Sequence, residues 1–361
     1  MEKINITKNG LMMMLINAVC VKLFLTFPRG MVVNAGNSAW IQSIYISLAA
    51  MIIYYITYKL YQKCGKNDIL SLAENIGGHI FKVVIGVLVC VILVANICMT
   101  VRIFPESIKL YLLPTTPTEF ILLFLGAAAV IGTYNGIEVL GRLHTLFIPF
   151  AGIIMALFFL FLLPYCKTEN IMPFWGMGTY NIFVKGFNWI SIFADILLLN
   201  LLLPYCKSTQ TAFKCGFYAI LWGGICTTVI SLIYCMIYPY PISSEFIMPV
   251  YQLTRLVRVG DFFQRAESIF EFVWSIATIM YISTYICVVC LVWQKTFNLR
   301  YHRPLIIPAA TILVAMSFLP QSIIVMLESD QMIKNIIYPI AFLLPIILPA
   351  IYIGKSKRKN I

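Results

Sequence analysis

Long apolar segments separated by short polar connections run through the whole chain. A helix of about 20 apolar residues spans the hydrocarbon layer of a bilayer. Runs such as Phe81 to Thr100 are continuous, whereas the strands of a membrane barrel would alternate in polarity. The pattern predicts an all-α integral membrane protein with ten transmembrane helices in a single transmembrane domain over residues 1–361. The predicted segments are 11–33, 39–61, 80–103, 119–137, 143–165, 187–205, 213–238, 269–294, 304–326 and 333–353.

The number of segments predicts an internal symmetry. With five helices in each half, the second half begins on the opposite face of the membrane from the first. This is the arrangement of inverted-repeat transporters, whose interrupted helices meet near the bilayer midplane. We expect a 5+5 inverted repeat with discontinuous helices 1 and 6. The first repeat is residues 1–165, and the second is residues 166–361 with a short basic cytoplasmic tail.

Two charged residues lie deep inside these segments, Lys22 in the first and Asp195 in the sixth. Only 11% of the chain is charged and 61% is hydrophobic. A charge at bilayer depth is costly and therefore marks a functional site by default. Since the first and sixth helices lead the two halves, the hypothesis is that these side chains pair, or that a zwitterionic ligand inserts between them. The alternative is a purely structural ion pair or a lysine that extends to the interface.

Polar and aromatic residues near these two charges complete the candidate site. Buried amides and hydroxyls need partners and therefore face the interior of a bundle, either as contacts between helices or as contacts to a ligand. The candidate ligand-binding residues are Asn17, Val21, Lys22, Leu23, Phe24, Asn96, Phe193, Ala194, Asp195, Asn200, Tyr281 and Thr284.

The basic residues predict the orientation in the membrane. Placing the N-terminus in the cytoplasm puts 16 of the 26 Lys and Arg residues in inside loops and nine in outside loops. Basic residues prefer the cytoplasmic side, so both termini are predicted to be cytoplasmic. The net charge of +12 is then mainly an orientation signal, with a basic tail that can touch anionic lipid of the bilayer, and it does not imply nucleic acid.

The sequence offers no enzyme motif, cofactor motif or metal-ligand pattern. Phosphate-binding glycine loops and HExxH and GxSxG motifs are missing, so no enzyme activity and no cofactor are predicted. The eleven cysteines lie mostly within helices, with no histidine at ligand spacing, and are expected to be apolar fillers. The histidines His79, His144 and His302 fall at predicted cytoplasmic helix ends, where we expect contact with solvent or headgroups.

Three longer stretches carry a resemblance to a known family. They are Val101 to Phe120 (VRIFPESIKLYLLPTTPTEF), Gly136 to Pro149 (GIEVLGRLHTLFIP) and Pro249 to Trp274 (PVYQLTRLVRVGDFFQRAESIFEFVW). Pro28, the Ala-Gly pair at 35 and 36, and Trp40 also look like the family's first outer loop. With these motifs the chain resembles the endospore germination permeases, the B subunits of Ger-type germinant receptors, over nearly its whole length.

The resemblance implies the LeuT-like fold of the amino acid, polyamine and organocation transporter superfamily. It also implies a site for a small germinant, such as an amino acid, between helices one, three, six and eight. The partners it implies are a membrane-anchored A subunit and a C-subunit lipoprotein, in the spore inner membrane. Where the family commonly has a glycine-rich unwound stretch, this chain has Val21 to Phe24, and Lys22 could take over carboxylate recognition electrostatically.

Local charge pairs and prolines suggest where the bundle moves. Arg102 with Glu106, and Glu138 with Arg142, are spaced to pair on one helix face. Each pair is either solvated surface or a gate latch. Pro28 is expected to kink the first helix beside the charged break.

Three functions follow as hypotheses. The favoured one is a germinant-sensing membrane subunit, in which ligand binding shifts the bundle between conformations. The second is a secondary permease for amino acids or organic cations. The third is a conduit that releases ions on a signal from elsewhere.

Overall fold

The computed structural model describes residues 5–65, 67–257, 266–320 and 323–359. Over these residues the chain is almost entirely helical, and a single isolated parallel bridge joins Ile6 and Cys206. The all-α prediction is therefore confirmed. Four of the 26 basic residues counted above, Lys3, Lys66, Arg258 and Arg265, lie outside the described residues.

Fourteen α-helices follow one another along this described part of the chain. In the first half they are α1 Lys8–Cys20, α2 Phe27–Ala35, α3 Ala39–Cys64, α4 Ile69–Tyr111, α5 Thr118–Tyr134 and α6 Gly136–Leu162. In the second half they are α7 Thr179–Phe183, α8 Leu197–Leu202, α9 Thr209–Ile237, α10 Ile242–Glu245, α11 Pro249–Leu256, α12 Ala266–Thr296, α13 Ile306–Ser317 and α14 Ile323–Lys359.

Seven helical stretches of the described chain are long and apolar enough to cross a membrane, and two shorter apolar helices are Thr118–Tyr134 and Arg303–Ser317. Each of the ten predicted segments overlaps helical residues, while the count of ten spans stays a prediction. The predicted boundary of segment 304–326 is wrong, because α13 ends at Ser317 and the backbone has left the helix before Pro320. Proline lacks the N–H that would continue the helical hydrogen bonding.

The first helix is broken in the middle. After α1 the chain makes a tight 3-10 turn over Val21–Phe24, and Leu25 leaves helical geometry altogether (φ −84°, ψ −133°) before α2 begins. Pro28 lies in the first turn of α2, where a proline is tolerated because that N–H has no helical partner. Pro28 therefore starts the second half-helix and does not kink a continuous one, and the break forms without glycine.

The sixth predicted segment is interrupted in a similar way. A 3-10 helix spans Lys185–Ile196, α8 follows, and a second 3-10 turn covers Leu203–Tyr205. Long 3-10 stretches are uncommon and often mark a functional hinge. The discontinuity expected for helices 1 and 6 is confirmed.

The interrupted helices form the centre of the bundle. The apolar window of the stretch Thr179–Tyr205 is 89% buried, whereas that of Gly136–Tyr165 is 17% buried. α1 packs against α6 and α9, and α12 packs against α4 and α5. The buried breaks are thus surrounded by intact helices, which is where irregular backbone is tolerated at membrane depth.

Gly78 divides α4 into a short first part and the long span. Its backbone angles (φ 76°, ψ −166°) are readily adopted by glycine and rarely by other residues. Asp68 caps the short part by accepting a hydrogen bond from the Ser71 N–H at 2.9 Å, and it also pairs with Lys295 at 2.7 Å. The short part of α4 is therefore fixed to the end of α12.

Cys166 gives a test of the predicted orientation. It lies just after α6 on the predicted outer side, and burial raises the pKa of its thiol. Because the thiolate is the reactive form, labelling of Cys166 by a membrane-impermeant maleimide is expected to rise about tenfold per pH unit between about pH 7 and pH 9. The measurement is the difference in labelling between intact cells expressing the wild type and the Cys166→Ser variant. Labelling only after membrane permeabilisation would reverse the predicted orientation.

Candidate functional site

The two membrane-embedded charges meet at the two helix breaks. Lys22 lies in the 3-10 turn after α1, and Asp195 lies near the end of the 3-10 helix before α8. The Nζ atom of Lys22 is 2.8 Å from Oδ2 of Asp195, and the two side chains are 13% and 0% exposed. The distance leaves no room for a ligand between these two groups in this conformation.

The end of α1 also favours the charge of Lys22. Lys22 follows the C-terminus of α1, which carries partial negative charge. The break in the first helix therefore brings Lys22 to Asp195 and places the ammonium at a helix end of opposite partial charge.

Asn96 of α4 bridges the pair. Its Oδ1 accepts from Nζ of Lys22 at 2.5 Å, and its Nδ2 donates to Oδ1 of Asp195 at 2.5 Å. The same amide donates to the hydroxyl of Tyr285 at 2.7 Å and accepts from the hydroxyl of Tyr338 at 2.8 Å. A single asparagine on the third predicted segment thus connects four helical stretches of the bundle.

Tyrosine hydroxyls supply the remaining polar contacts of the carboxylate. Tyr285 donates to Oδ1 of Asp195, and Tyr281 lies 3.5 Å from the same oxygen. The ring of Tyr338 is 5.6 Å from the Lys22 ammonium, within the range of a cation–π interaction. The charged centre, defined as Lys22, Asp195, Asn96, Tyr285 and Tyr338, is therefore a closed and almost fully bonded network.

Sequence reasoning missed Tyr285 and Tyr338. Tyr281 and Tyr285 are four residues apart on α12 and so share one face, which is the signal that could have found the second tyrosine. Tyr338 directly precedes Pro339 in α14, and nothing in its local sequence distinguishes it from the other tyrosines of the chain.

Several predicted site residues lie elsewhere. Asn17 bonds to His144 and to the carbonyl oxygen of Ala277, and not to the charged centre. Thr284 donates to the carbonyl of Met280 one turn earlier in its own helix. Asn200 is buried and its Oδ1 has no hydrogen-bond partner among the described residues.

The apolar members of the predicted set line the breaks. Val21 and Leu23 are each 1% exposed, and the Val21 carbonyl accepts from the Trp274 indole at 3.2 Å. Phe24 packs edge-on against Phe270 and Trp274, with ring centroids 5.6 Å and 6.0 Å away. The remaining two, Phe193 and Ala194, are buried immediately before Asp195.

Two cavities lie beside the charged centre. The inner cavity, of about 40 Å³, is lined by Lys22, Asn96, Ser191 and Tyr338 among others. The outer cavity, of about 770 Å³, lies on the side of the predicted outer loops and is lined by Arg29, Asn34, Lys185 and Trp189 among others.

One ion pair stands between the two cavities. Thr26, Asp330 and Lys334 line both of them, and Lys334 pairs with Asp330 one turn away on α14. The Lys334 ammonium also lies 4.8 Å from the ring of Trp189. A small molecule that moved from the outer cavity to the inner one would therefore pass this pair.

The two predicted latches differ in the structure. Arg102 and Glu106 form an ion pair at 2.9 Å, as their spacing predicts. The predicted contact between Glu138 and Arg142 is wrong, since no ion pair joins these two described residues. Glu138 instead accepts from the backbone N–H of Asn5, and Arg142 is exposed beside a cavity that Lys8 also lines. The chain segment before α1 takes the place of the arginine.

No group of three or more histidine, cysteine, aspartate or glutamate side chains in the described ranges could hold a metal ion. The charged centre could instead recognise a ligand that carries its own charges. Its ammonium could bind a carboxylate, and its carboxylate could bind an amine.

The architecture is similar to that of solved transporters. The structure of MhsT in complex with L-phenylalanine aligns with a TM-score of 0.67 and 10% identity, covering 96% of this chain and 89% of that one. The structure of Mhp1, a nucleobase-cation-symport-1 family transporter in a closed conformation with bromovinylhydantoin bound, gives 0.65 and 12%, covering 91% and 75%. At these identities the likeness establishes the fold, which is the LeuT-like inverted repeat.

The sequence comparisons then place the chain within a family. The profile of the spore permease family, described as "Spore germination protein", matches residues 5–323. The chain therefore belongs to this family of spore germination proteins.

Two relatives come from Bacillus subtilis (strain 168). Spore germination protein A2 is 24% identical over 328 residues, covering 90% of this chain and 89% of the relative. YfkT, provisionally named as a spore germination protein, is 24% identical over 269 residues, covering 72% of each chain. The fold and the family agree on a multi-pass membrane protein.

Proposed function

We propose that this protein is the membrane subunit of a spore germinant receptor and that it binds a small zwitterionic nutrient, such as an amino acid, at the charged centre. The observation that carries the proposal is the contact between Lys22 and Asp195 at the two helix breaks, beside a cavity. Family membership supports the role in germination. The transporter-like fold supports a binding site between the breaks.

The chemistry of the pair favours a ligand with both charges. A buried charge left alone would cost several kcal/mol, so a ligand that separates Lys22 from Asp195 must replace both partners. The amine of an amino acid would take the place of the Lys22 ammonium on Asp195, and its carboxylate would bind the released ammonium. The inner cavity is small in this conformation, so binding requires the chain segments that carry Lys22 and Asp195 to move apart.

The separation of Lys22 from Asp195 is a conformational change that can report ligand binding. A ligand that binds only the separated arrangement shifts the population toward it by its difference in affinity. We propose that the partners that receive this change are a membrane-anchored A subunit and a C-subunit lipoprotein in the spore inner membrane. Signalling in this form requires no transport of the ligand.

A thermal-shift screen of the detergent-purified protein tests the proposal. Each of the common amino acids is titrated, and a ligand is expected to raise the unfolding temperature in proportion to the logarithm of its concentration once binding is saturated. Lys22→Met and Asp195→Asn are expected to abolish the shift. Arg142→Gln, at the exposed end of α6, is the matched charge-removing control and should keep it.

Two outcomes of the thermal-shift screen would contradict the proposal. If an amino acid stabilises the wild type and both charge variants equally, it binds elsewhere and the site assignment falls. If no amino acid stabilises the wild type, the ligand class is wrong.

The fold shared with transporters also favours a permease as a second candidate. Reconstituted vesicles distinguish the two: saturable accumulation of a radiolabelled amino acid by this chain alone supports the permease. Binding without accumulation supports the receptor.

A further inference from the structure

His144 lies fully buried where three helices meet. It is on α6 with 0% of its surface exposed, although the sequence predicted a solvated position at a helix end. Its Nδ1 is 2.8 Å from the Leu140 carbonyl oxygen, and its Nε2 is 3.1 Å from Nδ2 of Asn17 on α1. The same Asn17 nitrogen is 2.9 Å from the carbonyl oxygen of Ala277 on α12. His144 and Asn17 thus join α6, α1 and α12.

The contacts determine which ring nitrogen carries the hydrogen. A carbonyl oxygen can only accept, so Nδ1 of His144 must be the donor to Leu140. In the neutral ring Nε2 then holds a lone pair and accepts one of the two amide hydrogens of Asn17. The second amide hydrogen goes to Ala277. All three of these hydrogen bonds are formed when the imidazole is neutral.

A proton added at Nε2 would disrupt this arrangement. Two donors, Nε2–H and the Asn17 amide, would then face each other across 3.1 Å. If the amide turned over to present its oxygen to the imidazolium, that oxygen would face the Ala277 carbonyl, and two acceptors would meet. No rotation of Asn17 satisfies both neighbours, so protonation favours separation of α1 from α12.

We propose that His144 is a proton-binding site that controls the packing of α1, the first half of the broken helix, against α12. α1 ends only a few residues after Asn17, and Lys22 follows it, about 7.5 Å further along the axis. A proton at His144 would therefore loosen the half-helix that carries the ammonium of the charged centre. This inference does not depend on which ligand, if any, the centre binds.

No charged side chain of the described residues forms a hydrogen bond or ion pair with the ring. The titratable and charged side chains on elements packed against α6 are Lys8 and Cys20 on α1, Glu119 and Tyr134 on α5, Glu138 and Arg142 on α6 itself, Tyr165 after it, Tyr251 and Arg255 on α11, and Glu267, Glu271, Tyr281, Tyr285, Cys287, Cys290 and Lys295 on α12. Among the described residues none of these forms a hydrogen bond or ion pair with the imidazole, whose polar contacts are Leu140 and Asn17. The proton would therefore act through the hydrogen-bond pattern.

Hydrogen exchange of the α1 backbone measures this effect. The purified full-length protein in lipid nanodiscs is compared between pH 8 and pH 4, with exchange corrected for its intrinsic pH dependence. Opening of the segment from Asn17 to Phe24 is expected to increase about tenfold or more as the pH falls. His144→Gln, which keeps an amide oxygen as acceptor but cannot gain the proton, is expected to remove the response.

Two further variants keep the test decisive. His79→Gln removes an exposed histidine and should behave as the wild type. Asn17→Leu removes the bridge but leaves His144 in place, and it should also lose the pH response even if His144→Gln fails to fold. A wild-type protein without a pH response in this segment, or a His144→Gln or Asn17→Leu protein that retains the full response, would overturn the proposal.

Discussion

Replacing Asp195 with alanine is expected to destabilise the folded protein by about 3 to 5 kcal/mol, because it leaves the Lys22 ammonium buried without its counter-charge. Oδ2 of Asp195 is 2.8 Å from that ammonium but makes no well-aligned hydrogen bond, so the contact at this oxygen is one of charge. The measurement is equilibrium unfolding in mixed detergent micelles, followed by tryptophan fluorescence.

The double variant Lys22→Met with Asp195→Leu separates the value of the pair from the penalty of an unpaired charge. Replacing a buried ion pair by apolar residues of similar size is often neutral or stabilising. We therefore expect the double variant to recover most of the stability lost in Asp195→Ala. A double variant as unstable as the sum of the two single variants would show that the two residues do not interact.

A matched control is available on α14. Lys334 and Asp330 are also oppositely charged and in contact, but they lie one turn apart on a single helix at the edge of the outer cavity. The Lys334 and Asp330 side chains are nearly as buried as Lys22, at 12% and 11% exposed, but Lys334 also contacts the ring of Trp189 at 4.8 Å and both side chains line the outer cavity. The Lys334 ammonium therefore keeps a partner and contact with the cavity when its counter-charge is removed, so Asp330→Ala should change stability less than Asp195→Ala.

The two charged residues of the charged centre could be found from the sequence. Charges are rare at bilayer depth, so Lys22 and Asp195 stood out against 61% hydrophobic residues. The inverted repeat then predicted that the leading helices of the two halves lie side by side. Their contact followed from these two arguments, while their role in binding a ligand stays a prediction.

Residues of common types could not be found in the same way. Tyr285 and Tyr338 belong to a set of 20 tyrosines, and apolar periodicity does not say which of them face one asparagine. Their assignment requires the relative rotation of α4, α12 and α14. Long-range packing sets that rotation, and no local pattern reports it.

The error at His144 has a simpler physical cause. The predicted segment began at residue 143, which placed the histidine at a helix end, whereas α6 begins at Gly136. His144 is therefore eight residues inside the helix, about 12 Å from its start. The polar residues Glu138, Arg142 and His144 made this part of the sequence look like a loop, although only the first two lie near the surface.

Among the uncharged residues of the charged centre, Asn96 is expected to matter most: Asn96→Leu should lower the free energy of unfolding by about 3 kcal/mol. The leucine fills the same space, but it removes the acceptor for Lys22 and Tyr338 and a donor to Asp195. Tyr338→Phe removes one neutral donor and should lose about 1 kcal/mol. Thr284→Val, which removes a hydroxyl bonded only within α12, is the control and should lose less than about 1 kcal/mol.

Combining Asn96→Leu with Tyr338→Phe tests whether the contacts form one network. Part of the loss in Asn96→Leu comes from leaving the Tyr338 hydroxyl buried without an acceptor, and Tyr338→Phe deletes that hydroxyl. The double variant should therefore be about 1 kcal/mol more stable than the sum of the single changes predicts. Strict additivity in the same unfolding measurement would mean that Asn96 and Tyr338 are independent, and that the amide does not connect α14 to the broken helices.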